Sequence, residues 1–241
     1  MRLIRWLFAF TLIATVVTTA IAAAVPGAHR MACPTCYGLV RVAPAIFTDA
    51  PAREHAAFAA RIDAARRRVA RFFGPLRARP NIVLCTTHRC LAAFSSKPGR
   101  AAGVTFGWAF IRMAARGIRT DTLAHELVHA EYHWRLGLAG FFEGRVPFWF
   151  HEGLASWIAD DSGARTRRFG HRQPWTRELR TEADWHAIPR RLGKLDYRYG
   201  AAAAEVRWVV DRIGVSGLQR LVQATVAGQS FDQALAAQLA R

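Results

Sequence analysis

The chain has 241 residues, with 34 Lys and Arg against 17 Asp and Glu, a formal net charge of +17. Hydrophobic residues at 52% and charged residues at 21% describe a chain able to bury a core, and they exclude a disordered tail, a collagen, a coiled coil, a small disulfide scaffold and a multi-span transporter. A pI near 11.4 raises nucleic acid as a partner, yet Lys97 and Lys194 are the only lysines, and Arg- and Ala-heavy composition also follows from a GC-rich genome; no nucleic-acid motif accompanies the charge.

Arg2 and Arg5 precede an uncharged run of 20 residues from Trp6 to Val25, which Pro26-Gly27 closes. That is the length of a membrane-spanning helix, about 20, and longer than the about 7–15 of a usual secretory h-region. Thr11, Thr15, Thr18 and Thr19 dilute the run, and Ala22-Ala23-Ala24 offers small residues for cleavage. Residues 1–25 therefore read as a signal anchor, with a cleaved signal peptide as the alternative. Either reading keeps the two arginines cytoplasmic and places residues from 26 onward outside the cytoplasm, membrane-anchored and periplasmic or cell-surface, or secreted after cleavage. The four cysteines, Cys33, Cys36, Cys85 and Cys90, allow three pairings there. Cys85–Cys90 is the leading pair, and a structural Cys33–Cys36 bridge is preferred to a redox pair or half a zinc site, because no thioredoxin-like strand precedes it.

Residues 37–48 read as a strand-rich lead-in. A helix is predicted from about Pro51 to Phe73, since Phe58, Ile62, Ala65, Val69 and Phe72 recur at helical spacing, with Arg66, Arg67, Arg68 and Arg71 on a solvated face. Residues 80–85 read as a short apolar strand and 103–113 as a second strand region broken by Gly107. Thr120 or Asp121 can cap a helix running to about Leu136, with Gly137 beyond it. Pro147 opens another over 148–159. Residues 162–195 lack a steady period and read as an irregular, partly basic segment. Three helices then follow at about 199–213, 216–227 and 230–240, separated by Gly214 and Gly228. Ser216 with Gln219, and Ser230 with Gln233, have capping-box spacing. One α+β domain over 26–241, helix-dominated with a small sheet, is the expected architecture.

The chemistry-bearing motif is His125-Glu126-Leu127-Val128-His129. Residues four apart share a helix face, so both imidazoles can reach one ion, and Glu126 can take a proton from its bound water. Leu123, Leu127, Val128, Ala130 and Trp134 are expected to cover the rest of that helix. A catalytic zinc needs a third protein ligand, and Glu152, in Pro147-Phe148-Trp149-Phe150-His151-Glu152-Gly153-Leu154-Ala155, can supply it from a second helix packed across the first. Gly137, Gly140 and Gly144 allow the intervening chain to turn back.

HELVH followed by PFWFHEGLASW resembles the gluzincin zinc peptidases, and is most similar to the peptidase-MA-like families, many of them membrane-attached. The similarity extends over most of residues 37–241, although only the two helix motifs are individually specific. The resemblance implies a zincin-like fold and one zinc ion per chain, held by His125, His129 and Glu152, with peptide-bond hydrolysis of a peptide or protein substrate. It makes Glu126 the general base toward zinc-bound water and a tyrosine or histidine of the C-terminal part the oxyanion donor; Tyr199 is the first candidate and Tyr197 the second, with simple packing against the domain the alternative for either. His151 replaces the Asn usual in aminopeptidase members, and the Gly-x-Met-Glu-Asn stretch of exopeptidases is absent.

The remaining candidates have plainer readings. His133 is an alternative third ligand, disfavoured because one straight helix rarely wraps three ligands around an ion. His151 reads as exposed or hydrogen-bonded behind a ligand, and Asp160 and Asp161 either orient a ligand histidine or end a helix in solvent. Trp149, Phe150 and Trp157 are core candidates, one of which can line a cleft. Arg165, Arg167, Arg168 and Arg172 suit acidic substrates or anionic headgroups, or simply a solvated loop. The alternative to an enzyme is a zinc-stabilised envelope module that binds a protein partner without turnover.

Overall fold

The structure is a computed structural model that describes residues 28–95, 101–159, 172–192 and 195–240, together with position 6. The run from Trp6 to Val25 otherwise lies outside the described residues, as do Asp160, Asp161 and Arg165 to Arg168. Among the described residues no helix is long and apolar enough to cross a membrane.

A short helix, α1 (Ala28–Ala32), and a 3-10 turn (Pro34–Tyr37) lead into β1 (Val40–Ala43) and β2 (Ile46–Thr48). Helix α2 (Ala52–Phe73) follows, then β3 (Asn81–Cys85), α3 (His88–Ala93), and the hairpin β4 (Gly103–Phe106) and β5 (Phe110–Ala114). The helical half comprises α4 (Thr120–Phe142), α5 (Phe148–Ala159), α6 (Glu182–Leu192), α7 (Leu195–Val226) and α8 (Phe231–Leu239).

The five strands form one sheet in the order β1-β2-β3-β5-β4. The β2–β3 and β3–β5 pairs are parallel, while both outer pairs, β1–β2 and β4–β5, are antiparallel. Alternation along the strands divides the sheet's two faces. Ile82, Leu84, Ile111 and Met113 join the large core built with α2, α4, α5 and α7, whereas Val83, Cys85 and Ala114 join a smaller one with Met31, Leu39, Phe47 and Phe94. The smaller core carries the Cys85–Cys90 disulfide, with the Cys33–Cys36 disulfide in the adjoining turn; both expected bridges form and no described cysteine is free. The α+β reading, helix-dominated with a small sheet, matches this architecture.

The amphipathic reading of α2 holds at every anchor: Phe58, Ile62, Ala65, Val69 and Phe72 are all buried. Its arginine face is less uniform than expected, because Arg68 Nη1 donates to the Ala159 carbonyl at the C-terminus of α5. Three boundary expectations are corrected. Helix α4 starts at Thr120 with Arg119 in the cap position, so neither Thr120 nor Asp121 caps it; Asp121 instead pairs with Arg119 at 2.9 Å. The helix breaks at Gly137, whose φ of 67° and ψ of 179° leave the helical region, and then resumes to Phe142. Neither proposed serine capping box forms: Ser230 makes no side-chain cap hydrogen bond, and Gln219 Nε2 donates 2.7 Å to the Phe72 carbonyl.

Residues 162–195, expected to be irregular, contain α6. Its capping box is Thr181 with Asp184: Asp184 N donates to Thr181 Oγ1 at 3.2 Å and Thr181 N donates to Asp184 Oδ2 at 2.8 Å. The signal was masked by Pro189, which reads as a breaker yet lies within the last turns of this helix. Trp134 is also corrected. It is 39% exposed, with the Arg77 guanidinium 5.5 Å from its ring.

Candidate metal centre

Helices α4 and α5 carry the site. His125 and His129 stand one turn apart on α4, and α5 crosses that face with Glu152 pointing inward. All three side chains are buried, and their donor atoms converge. His125 Nε2 and His129 Nε2 are 3.0 Å apart, and Glu152 Oε2 lies 3.2 Å from the first and 3.5 Å from the second. Donors on a tetrahedral zinc at about 2.0–2.1 Å stand about 3.3–3.4 Å from one another, so these edges frame a site of that size. Glu152 Oε2 is buried without a hydrogen-bond donor, which is costly for an anionic oxygen unless a cation meets it. Two imidazoles and one carboxylate are a donor set that borderline divalent ions accept. The group can hold a metal ion.

Electrostatics favour the same conclusion. Burial pushes the Glu152 carboxyl up, but the His129 and His125 imidazoles outweigh it and hold the group well below its ordinary range. Burial likewise pulls His129 down, and the facing Glu152 carboxylate more than reverses this. The carboxylate and the two imidazoles thus face one another closely enough to shift each other.

Each imidazole of the group has a partner behind it. Ser156 Oγ lies 3.5 Å from His125 Nδ1, and His151 Nε2 lies 3.4 Å from His129 Nδ1. Ser156 sits four residues after Glu152, the spacing that pairs His125 with His129, and that spacing is its only trace in the sequence. His151 is neither exposed nor part of the donor group; it stacks on His133 with ring centroids 4.7 Å apart. His133 does not join the metal group either: its Nδ1 meets the Gly107 carbonyl at 3.0 Å. Burial, then neighbouring imidazoles, keeps both rings neutral, His151 well below its ordinary value and His133 pushed down to about 4.

Glu126, between the two rings in sequence, meets the edge strand of the sheet. Its Oε2 accepts from Thr105 Oγ1 at 2.6 Å, and its carboxylate lies so close to β4 that a Cβ on Gly103 would fall 2.6 Å from Oε1. Neither Gly103 nor Thr105 was a candidate, since only the pairing of β4 with β5 brings them over α4.

Tyr199 reaches the centre and Tyr197 does not. The Tyr199 ring is 5.8 Å from His125 and packs edge-on to Trp185 at 5.1 Å, while Tyr197 lies against Trp175. Burial first, then the Glu152 carboxylate, raises the Tyr199 phenol above its ordinary value, so it keeps its proton. The approach depends on Gly153: a Cβ there would sit 2.5 Å from the Ala202 carbonyl oxygen, so the small run Ala201 to Ala204 lets α7 press onto α5. Trp149 and Phe150 are core, and Trp157 is partly buried against it. Comparison with family models, with curated proteins and with solved structures finds no match to this chain in any of the three.

Proposed function

We propose that this chain is a zinc-dependent peptidase of the gluzincin type, with His125, His129 and Glu152 as the zinc ligands and Glu126 as general base. The observation that carries the reading is the convergence of three buried donors within 3.0–3.5 Å of one another beside a separately anchored carboxylate. Bound zinc supplies Lewis acidity, lowering the pKa of water to about 7 and polarising the scissile carbonyl. Glu126, adjacent in sequence to a ligand and fixed by Thr105, accepts the proton of the attacking water and delivers it to the leaving amine. Tyr199 donates to the developing oxyanion from the α7 side.

Two disulfides in a chain of this size suit an oxidising compartment, which supports delivery of the domain across a membrane by residues 1–25. The substrate is then a peptide or protein met outside the cytoplasm.

Metal analysis and peptide-library cleavage, run on wild type and Glu126→Gln, test the reading. About one zinc per chain in both proteins is expected, with hydrolysis only in wild type, reduced by at least about 100-fold in the variant. Hydrolysis unchanged in Glu126→Gln removes that residue as base. Zinc bound by a wild type that cleaves no peptide favours the non-enzymatic envelope module.

A further inference from the structure

We infer that His151 and His133 form an imidazole relay that positions the ligand His129 and ties it to the turn of the β4–β5 hairpin. This rests on the zinc reading of the His125, His129 and Glu152 group. A carbonyl oxygen only accepts, so His133 carries its proton on Nδ1 and donates to Gly107 at 3.0 Å. His129 directs Nε2 at the donor group, which leaves Nδ1 to carry the proton and donate to His151 Nε2 at 3.4 Å. His151 must therefore present an Nε2 lone pair. The ring is set for this by its neighbours: His133 stacks against it at 4.7 Å with planes 18° apart, Tyr132 lies at 5.8 Å with planes 29° apart, and the His129 ring is tilted 33° to it at 4.4 Å. Tyr132 is in turn fixed by its hydroxyl, 2.9 Å from Thr225 Oγ1.

Ligand histidines are usually oriented by a carboxylate, a carbonyl or water. A neutral imidazole does so here without adding charge to a pocket that already buries Glu152 and Glu126. His151 and His133 are thus positioning residues, and their effect is read through His129. The consequence reaches beyond the ligand, because the hairpin that receives His133 at Gly107 also holds Glu126 at Thr105. One β-hairpin sets the orientation of both a metal ligand and the base.

Zinc affinity, measured on the purified full chain by competition with a chromogenic chelator, tests the relay, alongside the visible spectrum of the cobalt-substituted protein. His151→Phe keeps a stacked ring but removes the acceptor, and weaker zinc binding by about 10–100-fold is expected with an altered cobalt spectrum. His151→Asn restores an acceptor, and affinity within about 3-fold of wild type is expected. His133→Phe keeps the stack while losing the Gly107 anchor, and serves as the second probe should His151→Phe fail to fold; weaker binding by about 3–10-fold is expected. Melting curves of the metal-free proteins identify which variants fold. Wild-type affinity and an unchanged cobalt spectrum in the folded Phe variants overturn the relay while leaving the zinc reading intact. A wild-type protein that binds no zinc overturns the reading itself.

Discussion

Thr105 turns its single hydroxyl proton toward two acceptors of Glu126, the carboxylate at 2.6 Å and the backbone carbonyl at 3.0 Å. The side chain that would act as base is therefore pinned to the outermost strand of the sheet, 21 residues away in sequence. Hydrogen bonds to charged groups contribute about 1.5–3 kcal/mol, or about 10–100-fold in rate if the alignment they provide is lost. Thr105→Val keeps the β-branched shape and removes the hydroxyl. Peptide hydrolysis lower by that factor, at unchanged zinc content, is the expected result. A Thr105→Val protein with wild-type turnover would show that Glu126 finds its position without the strand.

Gly153 separates the packing of the site from its chemistry. A Cβ at this position meets the Ala202 carbonyl oxygen at 2.5 Å and Val206 Cγ2 at 2.9 Å, and backbone cannot step aside as a side-chain tip can. Gly153→Ala should push α5 off α7 and destabilise the fold by about 1–3 kcal/mol, the usual range for overpacking. Glu152 and Tyr199 stand on these two helices, so turnover should fall further than the loss of folded protein explains. Denaturation midpoints and activity per folded molecule measure the two effects; a midpoint equal to wild type would mean that the helices yield freely.

The site was legible where its residues are close in sequence and opaque where strands build it. His125, Glu126 and His129 declare themselves through helical spacing, and Glu152 through a second motif. The five buried positions of α2 follow from the same period, and the start of α5 from Pro147. Gly103 and Thr105 left no such trace, because their role arises from a strand pairing that places β4 over α4. His133 and His151 were visible as histidines, but their stacking depends on how two helices cross. Helix α6 was missed for a local reason: Pro189 outweighed a Thr181–Asp184 cap and the buried Trp185 and Ile188. The arginines that set the net charge proved equally context-bound, since Arg68 turns from solvent to a helix end, and Arg172 and Arg177 both pair with the buried Glu205.

Metal removal should reveal how much of the fold rests on the centre. At a free zinc concentration about 100 times the dissociation constant, binding stabilises the native state by about 2.7 kcal/mol. For a chain of this size that corresponds to about 5–10 °C in Tm. Chelation of wild type should lower Tm by about this amount, reversibly on adding zinc. Glu152→Gln, which removes the anionic donor, should melt at the same temperature with and without chelator. A wild-type Tm indifferent to chelator would count against a metal held by these residues.

Asp49 supplies a pH dependence outside the His125, His129 and Glu152 group. Its carboxylate accepts from Thr86 N at 2.7 Å and Thr87 N at 3.1 Å, and from both threonine hydroxyls, joining the end of β2 to the loop closed by Cys85–Cys90. Burial raises its pKa, but these hydrogen bonds outweigh burial and leave it below the ordinary carboxyl value. A folded-state value below the unfolded one means that the unfolded chain binds more protons in that interval, so stability rises with pH there. The contribution is full above the unfolded value of about 3.9 and is lost as pH falls through the depressed folded one. Asp49→Asn removes the titration and weakens the clamp. The Tm gap between wild type and variant should therefore be largest near about pH 6 and narrow toward about pH 3. Melting both proteins in the presence of chelator across that range isolates Asp49 from the metal ligands, and a gap that stays constant with pH would exclude this carboxylate as its source.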